Sequence, residues 1–451
     1  MAKRENVVER LKRQDVKLKK TIAISLMGLF LAPLFIMAWP DAASQMPGMD
    51  GTVPHYFGPY PNYATSPLPA VTYDADGNVV SATGGIRKFV DSLPGLGEAN
   101  ANNLGQYLPV AAADKTTYPG SDYYEIALVE YEEQMHSDLA PTKLRGYVQL
   151  ETPVNAATSK HFALKYLDGT PILKFDGTAA ISVDKPHYLG PFIIAQKDVP
   201  VRVKFTNLLP TGAGGDLFLP VDTSVMGSGM GPIVMLDENG LPMLNPDGTP
   251  MMESYTQNRA TVHLHGGRSP WISDGTPHQW ITPAGENTVY PKGVSVYNVP
   301  DMPDPGPGSM TFYYTNQQSA RLMFYHDHSY GITRLNVYAG EAAGYLLQDD
   351  VELALISAGI IPSDQIPLVI QDKTFVPDDT LPISNMWGTF DSQLAYQDPT
   401  WNTTMWGTPG DLWYPHVYMP MANPYDPSGM SMFGRWMYAP WFWPPQTPTN
   451  G

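Results

Sequence analysis

The chain has 451 residues, no cysteine and a formal charge of -17, from 27 Lys+Arg against 44 Asp+Glu. The acidic balance argues against nucleic acid as a partner, because phosphate backbones are met by basic surfaces. The missing cysteine excludes disulfides, thiolate metal ligands and a thiol nucleophile, and the length allows a large core in two or three domains.

Residues 1–20 are strongly basic: Lys3, Arg4, Arg10, Lys12, Arg13, Lys17, Lys19 and Lys20. They read as a cytoplasmic flank, since residues 21–40 are uncharged, mostly apolar and long enough to span a bilayer. Two versions of segment 21–43 stand. It is a cleaved signal peptide with Ala42-Ala43 at its small-residue site, or an uncleaved membrane anchor. Either places the remainder outside the cytoplasm, in the periplasm or at the cell surface.

Residues 44–120 are dense in Pro, Gly, Asn and Ala and read as an irregular arm that packs on a neighbour. Strand-like alternation starts at Tyr124, with apolar groups on both faces through Tyr131, as in a sandwich strand. Glu130, Glu132 and Glu133 read as a solvated end. Short strand candidates follow at 161–167, 170–175, 179–183 and 191–195. Val199–Asn207 alternates cleanly, with Val199, Val201, Val203 and Phe205 on one face. Residues 211–257 hold Met226, Met230, Met235, Met243, Met251 and Met252. Two readings stand for these: a Met-lined packing surface and a copper-handling loop, because thioether ligates Cu(I).

The most ordered part is 258–349, with strands predicted at Ala260–His265, Val294–Asn298, Met310–Thr315, Arg321–His326 and Ala342–Gln348. No periodic helix of ordinary length occurs. Many short strands between Gly/Pro turns predict an all-β, antiparallel β-sandwich over 121–349. A short helix is predicted near 351–359 and a buried strand at Gln365–Asp372, where a second domain begins, running over 350–451. Seven of the ten tryptophans lie in 387–443, a proline-rich stretch without strand signals.

The chemistry concentrates in two H-x-H pairs, His263/His265 and His326/His328. In a strand, positions i and i+2 share a face, so each pair offers two imidazoles to one side, with Leu264 and Asp327 turned away. Two such strands brought together converge four imidazoles, a donor set for copper, zinc or iron rather than calcium or magnesium. The bland alternative for either pair alone is a surface strand that carries histidines by chance. There is no dinucleotide fingerprint, Walker loop, H-E-x-x-H or G-x-S-x-G to support another enzyme class.

The stretches VHLHGGRSPWISDGTPHQW (from Val262) and FYHDHSYGITRLNVYAGEAAG (from Phe324) resemble multicopper oxidases of the bacterial spore-coat laccase and bilirubin oxidase branch. Looser likeness covers Glu133–Gly146 and Ile366–Asp372. The resemblance implies cupredoxin-like domains, one complete here and a second begun, out of three. It implies His263 as a type 2 copper ligand, and His265, His326 and His328 as ligands of the type 3 pair. Asp274 matches the acidic residue that helps protonate reduced oxygen, a role suited to a carboxylate. As a local alternative, Asp274 forms the turn before Gly275. His278 falls outside the pattern and reads as surface.

The sequence also departs from that family. The H-x-x-H-x-H and H-C-H motifs of the third domain are absent, and without cysteine the type 1 site cannot form here. After His328 the chain has a single histidine, His416. The expectation is therefore an N-terminal portion of an oxidase, completed by a second polypeptide that carries the third domain and the type 1 copper. Dioxygen is the expected oxidant. The alternatives are a stand-alone extracytoplasmic copper-binding protein and a truncated remnant.

Overall fold

A computed structural model describes residues 70–376, apart from 76–78, 84, 85, 88, 220, 222 and 224–226, and also residues 408–413. Segments 1–20 and 21–43, Met226, His416 and every tryptophan of the 387–443 stretch except Trp413 lie outside the described residues. Among the described residues no helix is long and apolar enough to cross a membrane.

Eight strands build a sandwich: β1 (Asp122–Glu133), β2 (Thr142–Gln149), β3 (Ile193–Gln196), β4 (Val201–Asn207), β5 (His263–His265), β6 (Ser309–Tyr314), β7 (Arg321–His326) and β8 (Ala342–Gln348). They form two four-stranded sheets, ordered β6-β4-β1-β2 and β5-β7-β8-β3. The molecule is all-β as expected. Each sheet is mixed, because β1 runs parallel to β4 and β3 parallel to β8, while the other neighbours are antiparallel. A parallel pair requires a crossover connection rather than a hairpin, which is why long loops separate these strands.

Alternation places the core. Val201, Val203 and Phe205 of β4 are buried, and Arg202, Lys204 and Thr206 between them are half-buried. With Tyr124, Ile126 and Leu128 of β1, Phe312 of β6, Tyr325 of β7 and Tyr345 of β8 they form one core from both sheets. Each such side chain contributes about 1.5–3 kcal/mol of burial. β1 is buried on its other face too: Ala127, Val129 and Tyr131 pack into a second core with Leu144, Leu164, Leu335 and Ala339. Phe375 and Leu412, from a small pairing of 374–375 with 412–413, join this second core.

Three expectations need correction, and one element was not foreseen. Glu130 and Glu133 are not a solvated end: Glu130 accepts from the Nε of buried Arg145 (2.8 Å) and Glu133 pairs with buried His187 (2.7 Å). Only Glu132 is exposed. Val294–Asn298 forms no strand, and Val294 is 90% exposed. Gln365–Asp372 pairs with no strand among the described residues, and Ile370 is 94% exposed. A seven-residue helix that the sequence did not announce, α1 (Thr333–Ala339), links β7 to β8 and buries Leu335, Asn336 and Ala339. The expected helix after β8 is present as α2 (Asp350–Ser357), capped by the Asp349 carboxylate on the Glu352 N–H (2.8 Å).

Candidate metal centre

β5 lies antiparallel to β7 in a fixed register: His263 opposite His326, Leu264 opposite Tyr325, His265 opposite Phe324. Leu264 and Tyr325 enter the core, so the two-residue period of the strand turns His263, His265, Phe324 and His326 to the outer face. The register is held by core packing on the other side, since a slip by one residue would drive Leu264 out of the core. After His265 the chain turns sharply at Gly266, whose φ of +85° favours glycine.

The ligand atoms of His263, His265 and His326 all lie within 4.8 Å of one another. His265 Nδ1 stands 3.1 Å from His326 Nε2, near the separation of about 3.3 Å set by two nitrogens on one tetrahedral ion. Phe324 stacks against both the His265 ring (4.7 Å, 18°) and the His326 ring (5.1 Å, 24°). His328 reaches the group from beyond the strand end. Its ring centroid is 4.9 Å from that of His263 and 5.7 Å from that of His326.

Two ring tautomers follow from the partners. The Nδ1–H of His263 donates to the backbone carbonyl of Asp274 (2.5 Å), and the Nδ1–H of His326 donates to the carbonyl of Asp327 (2.5 Å). A carbonyl only accepts, so in both rings Nδ1 holds the proton and Nε2 keeps its lone pair. Burial pushes the His326 pKa down to about 4, the neighbouring histidines adding to the effect and the bond to Asp327 opposing it. His326 is therefore neutral near pH 7, the form that binds a metal.

Asp274 follows the short turn Trp271–Ser273. Besides its carbonyl on His263, it sets its Oδ1 3.8 Å from His263 Nδ1 and is partly exposed. The turn that brings it there depends on Gly275: its φ is +66°, and a Cβ would fall 2.1 Å from the Val262 carbonyl oxygen.

Asp327 points away from the cluster and is fully buried. Its carboxylate accepts the N–H of Thr261 (2.9 Å), the N–H and hydroxyl of Ser329 (3.0 and 2.6 Å) and the Asn336 amide (3.0 Å). It ties the lead-in to β5, the end of β7 and α1 into one support behind the histidines. Burial raises its pKa against the pull of these bonds.

The structure thus gathers His263, His265 and His326 into one group, with His328 and Asp274 at its border and His278 exposed against the Tyr330 ring. Sequence reasoning missed Phe324, which shares the His326 face and was readable by alternation. It also missed Asn336, for which no local signal exists. The donor set fits copper: imidazole nitrogens with lone pairs fixed by their partners, and at His328 a buried Nδ1 without a hydrogen-bond partner.

No family model matches the chain. Laccases of Bacillus stratosphericus and Bacillus subtilis (strain 168) are 30% and 28% identical over 270 and 273 residues, covering 60% of this chain and 35% of each laccase. The bilirubin oxidase of Albifimbria verrucaria is 37% identical over 95 residues, 21% of this chain and 13% of that protein. In sequence the chain is therefore similar to multicopper oxidases over 60% of its length, and it spans about a third of the laccases it matches, a coverage that fits an N-terminal portion. The crystal structure of the McoA multicopper oxidase from Aquifex aeolicus aligns over 70% of this chain and 38% of its own, at 18% identity and a TM-score of 0.31.

Proposed function

We propose that this relative of multicopper oxidases is a copper-dependent oxidoreductase component that contributes half of a trinuclear copper site. The observation that carries the reading is the convergence of His263, His265 and His326 within 4.8 Å on a sheet face that remains partly open. His263 would serve as the type 2 ligand, and His265, His326 and His328 as ligands of the type 3 pair. Copper held there would pass electrons to dioxygen, which becomes water. A type 1 copper that relays electrons from an outer substrate would have to be supplied by a companion polypeptide, because this chain has no cysteine to hold it.

The protein groups have separate tasks. The carbonyls of Asp274 and Asp327 orient two imidazoles and fix their tautomers. Phe324 keeps water from one side of the His265 and His326 rings. Water formation consumes protons, and the Asp274 carboxyl, partly exposed and beside His263, can take them from solvent and deliver them to the site. The assembly belongs outside the cytoplasm, exported or anchored through residues 21–43.

The test is elemental analysis of the chain isolated natively, with its co-purifying proteins identified. A cysteine-containing companion, a full set of coppers per pair and oxygen consumption are expected. Protein recovered alone with a partial copper complement and no oxygen consumption overturns the split oxidase. It favours instead a stand-alone copper-binding protein, a reading to which the same three converging nitrogens lend support.

A further inference from the structure

One backbone unit occurs twice. Leu164, Ile172 and Ala180 close a ring of three hydrogen bonds: Leu164 N–H to the Ala180 carbonyl (2.9 Å), Ile172 to Leu164 (3.0 Å) and Ala180 to Ile172 (2.9 Å). Two tight loops join the corners, closed by Tyr166 with Thr170 and Lys174 with Thr178. Met235, Met243 and Met251 repeat the ring: Met243 N–H donates to Met235 (2.9 Å), Met251 to Met243 (2.8 Å) and Met235 to Met251 (2.9 Å). Its loops are closed by Asp237 with Leu241 and Asn245 with Thr249. Gly169 and Gly240, Pro171 and Pro242, Asp176 and Asp247, and Gly177 and Gly248 occupy matching places.

A ring whose three corners make the same bond relates them by an approximate threefold axis, so their side chains leave on one face. The first ring demonstrates this. Leu164, Ile172 and Ala180 are 3%, 1% and 0% exposed and enter the same core. The second ring carries a thioether at every corner, and solvent reaches it: Met243 is 38% exposed, and Met235 and Met251 are half-buried. Elsewhere in that unit the apolar positions are leucine, with Leu236, Leu241 and Leu244 at 56%, 61% and 58% exposure. Methionine is thus confined, within 235–251, to the three ring corners.

We infer that Met235, Met243 and Met251 form a binding site for a soft monovalent cation, Cu(I), held by three thioether sulfurs. Thioether is a neutral soft donor that selects Cu(I) and gives little to calcium, magnesium or zinc. The site is distinct from the histidine centre in ligand chemistry and does not depend on the oxidase reading.

The experiment is an anaerobic Cu(I) titration of the full chain against a chromophoric chelator, with X-ray absorption on the loaded protein. The wild type should show sulfur scatterers around copper. The M235L/M243L/M251L variant, which keeps apolar volume, should lose one equivalent of Cu(I) together with the sulfur signal. M230L/M252L, at neighbouring methionines, should retain both. As a measurement free of variant folding, methyl-labelled methionine spectra of the wild type with redox-inert Ag(I) should shift the Met235, Met243 and Met251 signals together. Unchanged binding in the triple variant, absent sulfur scattering, or shifts confined to other methionines would overturn the assignment and leave the ring as an apolar packing surface.

Discussion

His326 ties the metal centre to pH. Its pKa is held at about 4 against an ordinary 6.5, so between these values the unfolded chain binds a proton that the folded chain does not. Stability therefore falls as pH drops from about 6.5 towards 4, and above that window His326 adds no pH dependence. Urea denaturation of the metal-free chain between pH 7.5 and 4.5 should show this decline, and His326→Gln should flatten it. An equal decline in both proteins would contradict the role given to burial. At this scale the histidine pairs were legible because a two-residue spacing is a strand property. The bond from the Thr261 N–H to Asp327 was not, because Thr261 lies 66 residues away in the chain and nothing local points to it.

The support behind the ligands is a matter of elements. β5 has only three residues, and it keeps its place through Leu264 in the core and through Asp327 on the Thr261 N–H. Leu264→Ala should cost about 2–5 kcal/mol and weaken copper binding although no ligand is touched. Asp327→Ala leaves the Thr261 N–H and the Ser329 N–H without their acceptor in the interior, while the Asn336 amide keeps its bond to the Arg259 carbonyl, for a cost of about 3 kcal/mol or more. Denaturation and copper titration of both variants check this, and full copper affinity in a destabilised Leu264→Ala chain would show that the site does not lean on the core. Strands β7 and β8 were readable to their exact limits because apolar runs there end at turn residues. Val294–Asn298 and Gln365–Asp372 have comparable patterns but no partner strand among the described residues, and pairing is non-local information. The helix α1 escaped because seven residues give too short a period, and one of its buried positions is the polar Asn336.

For the whole molecule, the two sheets differ in what covers them. The outer face of the β1-β2 sheet lies under the second core. The outer face at the β5-β7 edge stays partly open, with Leu322 46% and Phe324 41% exposed beside the histidines. If the proposed companion docks on this face, these side chains would form the apolar rim that excludes water from the site. Leu322 shares that face by the two-residue period and is not one of the proposed ligands, so it separates docking from metal binding. Leu322→Asp should leave the urea midpoint of the isolated chain nearly unchanged, within about 0.5 kcal/mol for an exposed position. It should leave the partial copper site intact as well. In the assembled protein it should abolish recovery of the companion and, with it, oxygen consumption, because a carboxylate buried without a cation at the interface is strongly unfavourable. Companion recovery and oxygen consumption that survive Leu322→Asp would move the docking surface away from this face and remove the ground for a cluster shared between chains.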